Sequence, residues 1–153
     1  MLRLAFAAVF AASLAGAQTE VPASEWQNVA KDIKGEAALI RVAAQDVAAK
    51  PYGLGVDRSA VRQTIENQQV SAAHIQTKLY EVERAECARG LYQDHRLDRL
   101  KEAADRLTDL TAIQRATLGD GEKKPSWGVL KCQAKSTAHL AEKIGKDIES
   151  FTD

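Results

Sequence analysis

Apolar residues return at alternating three- and four-residue steps in four stretches of this chain, a period that belongs to amphipathic helices. In the first stretch Trp26, Val29, Ile33, Ala37, Ile40, Ala44 and Val47 form one stripe, with Lys31, Lys34, Glu36, Arg41 and Gln45 on the other face. Ser24-Glu25-Trp26-Gln27 supplies a capping box at its start, and Pro51 ends it, because proline cannot continue a helix. Pro51-Tyr52-Gly53-Leu54-Gly55 reads as a loop. Asp57 or Ser59 is positioned to cap a second helix striped by Val61, Ile65, Gln68, Ala72, Ile75, Leu79 and Val82. Gln68 places an amide on that stripe, so either the core is thin there or the facing surface is polar. A third stripe runs through Leu97, Leu100, Ala104, Leu107 and Leu110, with Asp94 as its cap. After the loop Gly119–Pro125, Ser126 opens a fourth stripe: Trp127, Leu130, Ala134, Thr137, Ala141, Ile144, Ile148 and Phe151.

Three prolines and nine glycines leave little punctuation for a fold of many strands, and aromatic residues make up only 5% of the chain. The expected class is therefore all-α, an elongated antiparallel bundle of three to four helices. Residues 18–153 are expected to form one domain.

Residues 1–17, MLRLAFAAVFAASLAGA, have a single cation at Arg3, an apolar run from Leu4 to Leu14, and small residues at Ala15 and Ala17. This is the pattern of a cleaved secretory signal, and the run is shorter than the ~20 residues a membrane span needs. The expectation is a mature chain beginning at Gln18, periplasmic or secreted, with no membrane span. The full chain has 21 basic and 21 acidic side chains, and losing Arg3 leaves 20 against 21. A near-neutral chain without interleaved aromatics is not expected to bind nucleic acid.

Cys87 and Cys132 are the only cysteines, and export would carry them into an oxidising compartment, where such a pair usually forms a disulfide. That pairing bears on topology. In a plain up-down-up-down bundle Cys87 ends helix two and Cys132 begins helix four, ~35 Å apart at 1.5 Å per residue. A disulfide needs Cα atoms within about 7 Å. One solution, the preferred one, is a single long central helix that runs through Gly90 and reverses near Thr108–Thr111, where Thr111-Ala112-Ile113-Gln114 offers a second capping box. The other keeps a break at Gly90 and sends the loop Gly119–Pro125 back along the bundle.

Signals for chemistry are sparse. Asp94-His95-x-x-Asp98 is read as a helix cap beside a solvated histidine rather than a metal site. No C-x-x-C-H haem motif, G-x-S-x-G elbow or phosphate loop is present, so no metal or cofactor is expected. Leu110-Thr111-Ala112-Ile113-Gln114 matches the L-T-x-x-Q pattern of Spy-like periplasmic chaperones. That motif opens a long helix there, whereas Gly119 follows closely here, and the match is read as coincidence.

Val61, Arg62, Gln68, Ala72, Ile75 and Gln76 resemble one helix of the exported chorismate mutases, which are all-α. The resemblance implies a pocket in which cations and an amide hold a dianionic substrate, with Arg41, Lys50, Arg62 and Gln76 in those roles. It spans only Val61–Gln76, and the segment that brings a further active-site arginine in that family is missing between Lys50 and Val61. An ordinary amphipathic helix is the preferred reading of that stretch. The leading functional expectation is an exported interaction protein with a protein partner in the envelope or outside the cell. Asn67-Gln68-Gln69, Tyr80, Leu91 and Tyr92 are the expected contact surface. The alternative is a small-molecule or enzymatic site between Arg41, Lys50, Arg62 and Gln76.

Overall fold

The computed structural model describes residues 23–51, 55–88, 95–121 and 124–150, without the side chains of 23–25 and 85–88. The signal pattern at 1–17, the side chains of Ser24 and Glu25, and Gly90, Leu91, Tyr92, Asp94 and Phe151 lie outside what is described. Among the described residues four helices pack as a bundle: α1 (Ala23–Ala49), α2 (Arg58–Ala88), α3 (His95–Leu118) and α4 (Trp127–Glu149). Contacts run α1 to α2, α2 to α3, α3 to α4 and α4 back to α1, a closed square in which sequence neighbours are antiparallel. At 1.5 Å per residue, the 31 residues of α2 span ~46 Å.

Burial follows the stripes. Ile33, Ala37, Ile40, Ala44 and Val47 on α1, and Val61, Ile65, Ala72, Ile75 and Leu79 on α2, are buried. Leu97, Leu100, Ala104 and Leu107 on α3, and Leu130, Ala134, Ala141, Ile144 and Ile148 on α4, meet them. The apolar core is in two parts. The larger joins Ile33, Ile40, Ile75, Leu79, Leu100 and Ile144, and the smaller joins Val47, Val61, Ile65, Leu118, Leu130 and Ala134. Gln68, Thr111, Gln114 and Thr137, all buried, belong to neither part. Gln114 Nε2 donates to Thr137 Oγ1 at 2.7 Å and lies 3.5 Å from Gln68 Oε1. The amide that the second stripe carried is thus one member of a polar layer across the bundle.

Local chemistry sets the helix ends. Asp57 Oδ1 accepts the backbone N–H groups of Ser59 (2.9 Å) and Ala60 (3.1 Å), so Asp57 caps α2. Ser126 holds the N-cap position of α4, but its hydroxyl makes no capping hydrogen bond. Gly119 ends α3 at φ +65°, its N–H donating to Arg115 O at 3.2 Å, the left-handed stop that glycine makes without strain.

Two topological expectations are corrected. Thr108–Thr111 is no turn: it lies inside α3, and Thr111 Oγ1 donates back to Thr108 O at 2.8 Å. Helices α2 and α3 pack antiparallel against each other, as the Gln76–Asp105 and Glu83–Lys101 contacts show, so they do not form a single long central helix. Nor does the loop after α3 run back along the bundle. Leu118 before it and Leu130 after it pack in the same small cluster with Val61, so the chain turns around at one end. Cys87 closes α2 at one end of the bundle, and Cys132 lies at the start of α4 at the other. Cys132 is an exposed free thiol, so the expected Cys87–Cys132 bridge is not made in this structure.

Candidate functional site

Alanine and glycine on the facing sides of α1 and α4 let these helices come close. A Cβ added at Gly145 would stand 3.9 Å from Ala37 Cβ, ordinary van der Waals contact. Beside this seam a cleft of about 170 Å³ opens. Ala37, Ala38, Ala141 and Gly145 line it with Lys34, Arg41, Glu142, Lys146 and Glu149. Two ion pairs are in place at this cleft, Lys34 with Glu149 between the helices and Lys146 with Glu142 along α4 (2.7 Å). The Lys146 ammonium, by hydrogen bond and by charge, holds the Glu142 carboxyl below its ordinary range, and Arg41 and His139 add to that field. Arg41 itself is half-buried and makes no hydrogen bond or ion pair among the described residues.

The four residues expected to share a pocket are not brought together. Arg41 faces the α1–α4 cleft. Lys50, just past the end of α1, pairs with Asp46 at 3.1 Å. Gln76 reaches α3, where its Nε2 donates to Asp105 Oδ1 at 2.7 Å. Arg62 serves the structure instead. Its Nη2 donates to Gly119 O at 2.9 Å, beside Arg58, which donates to Leu118 O and, at 3.2 Å, to Gly121 O. The last carbonyls of a helix lack partners and carry partial negative charge, so two arginines from α2 close the end of α3. Sequence reading missed this clamp because the carbonyls that need it come from residues 57 to 63 positions away.

The expected contact surface also divides. Asn67 is exposed to a degree that Gln68 is not: Gln68 is 1% exposed and belongs to the polar layer. The Tyr80 ring lies under Lys101 Nζ, 4.5 Å from the centroid, and its hydroxyl donates to Asp105 at 3.3 Å. Leu91 and Tyr92 are outside the described residues. Thr111 and Gln114 of the L-T-x-x-Q stretch face the core in mid-helix rather than opening a helix.

No helix among the described residues is long and apolar enough to cross a membrane. Compared with protein-family models, curated proteins and solved structures, the chain gives no match.

Proposed function

We propose that this chain is an exported helical-bundle protein that acts by binding a protein partner in the envelope or outside the cell. The pattern at Met1–Ala17 supports export, with the mature chain beginning at Gln18. The observation that carries the binding reading is a set of exposed apolar side chains on neighbouring helices. Leu39, Val42 and Val70 are 64%, 58% and 56% exposed. Leu39 and Val42, three residues apart, share one side of α1. The cross-contacts Glu36–His74 (3.3 Å) and Lys78–Asp32 (2.9 Å) fix the α1–α2 register, and they put Val70 at the same height as Leu39. Grouped exposed apolar residues, unlike single ones, are what a partner surface covers.

The test is photo-cross-linking in the source organism, with a benzophenone side chain at position 39, 42 or 70 and a control at the exposed Ser136 on α4. One defined adduct from the first three positions, lost in a Leu39→Glu/Val70→Glu variant of unchanged helicity, is the expected result. Equal labelling from position 136, or no adduct from any position, overturns the reading. The mass of the purified protein reports export separately, through an N-terminus at Gln18.

A further inference from the structure

We infer that the cleft between α1 and α4 is a binding site for a small organic monoanion, a carboxylate on a compact apolar body of single-ring size. This site is separate from the outward α1–α2 surface of the proposed partner, and either can fail alone.

The size of the ligand follows from volume. A cavity of ~150 Å³ is enough to take up one benzene ring, and this cleft has about 170 Å³. Ala37, Ala38, Ala141 and Gly145 supply the apolar part of its lining, which suits an apolar ring face.

Charge decides the rest of the ligand. Three cations and two carboxylates line the cleft, a net charge of one positive. Lys34 is taken by Glu149 and Lys146 by Glu142. Glu142 is hydrogen-bonded to its lysine and feels the Arg41 charge as well, and Arg41 is the cation of the three without a hydrogen-bonding acceptor among the described residues. A half-buried guanidinium has lost part of its hydration, and its planar fork matches the two oxygens of a carboxylate. A dianion such as phosphate would meet repulsion from the Glu142 and Glu149 carboxylates at the same cleft. A neutral ligand would offer the Arg41 guanidinium no charged acceptor for its hydrogen bonds.

The experiment titrates the full mature protein with benzoate, benzamide and inorganic phosphate, followed by amide chemical shifts. Saturable benzoate shifts are expected, concentrated at residues 34–41 of α1 and 141–149 of α4. Benzamide and phosphate are expected to bind at least tenfold more weakly. Arg41→Gln should weaken benzoate about tenfold or more, as loss of a charged hydrogen bond implies. Gly145→Leu fills the cleft from its α4 side and should abolish binding with Arg41 still present, circular dichroism confirming that the helices remain. No saturation with benzoate, benzamide binding as well as benzoate, or undiminished binding by Arg41→Gln each overturns the proposal.

Discussion

Gln68, Gln114 and Thr137 carry opposite liabilities within one buried layer. Gln68 Nε2 and Gln114 Oε1 are buried without a partner, and each such atom costs ~1–3 kcal/mol. Thr137 Oγ1, by contrast, accepts the 2.7 Å hydrogen bond that Gln114 Nε2 donates. Gln68→Leu should therefore leave stability unchanged or raise it, while Thr137→Val should lower it by about 1–3 kcal/mol; urea unfolding measures both. A large loss in Gln68→Leu would mean that its amide is bonded more firmly than the 3.5 Å separation indicates.

Lys101 provides a pH handle at the same scale. Burial alone would lower its pKa, but the hydrogen bond and charge of Glu83, with the fields of Tyr80 and Asp98, outweigh that and hold it above its ordinary 10.5. A raised lysine contributes stability that is fully present below 10.5 and disappears as pH climbs through the higher folded value. Replacing Lys101 by Met should remove that part of the alkaline loss, read as a flatter decline of the urea midpoint between about pH 9 and 12. A decline as steep as that of the parent protein would assign it to other groups.

Among the helices, glycine acts with opposite sign at two positions. Gly35 is exposed within α1, and nothing lies within 4 Å of a Cβ added there. Gly35→Ala should raise stability by up to ~1 kcal/mol, the helix-propensity difference. Gly119 ends α3 at φ +65°, where any side chain is strained, while an added Cβ would only come into contact with Arg58 Nη2 at 3.4 Å. Gly119→Ala should cost about 1–2 kcal/mol, and thermal melts of the two variants should move in opposite directions. Arg58→Ala should also destabilise, by ~1 kcal/mol or more, because it uncaps the Leu118 and Gly121 carbonyls. A neutral Arg58→Ala would show that water serves that helix end as well as the clamp does.

For the molecule as a whole, the ends of the bundle matter most. Because Cys87 and Cys132 stand at opposite ends, the purified protein should carry two free thiols when denatured without reductant and labelled with maleimide. Native protein should label at Cys132. An unlabelled product two mass units lighter would reveal an internal bridge and sink the up-down-up-down arrangement, since no disulfide reaches along a bundle of this length.

The helices themselves were legible because their signal is local. A 3.6-residue period marks the buried face wherever the partner lies, and in all four stripes most of the described residues are buried. Gln68, an amide on an apolar stripe, pointed either to a thin core or to a polar facing surface, and the Gln114–Thr137 layer shows the second. What remained open was the pairing of helices: whether the chain breaks between α2 and α3, which way the loop after Gly119 turns, and whether two cysteines meet. Those choices are settled by non-local packing, such as Leu118 against Val61 and Leu130, which no short window of sequence contains. The same holds for the arginines. Arg41 and Arg62 are alike as side chains on polar helix faces, and only the assembled bundle gives one an open cleft and the other a helix end to close.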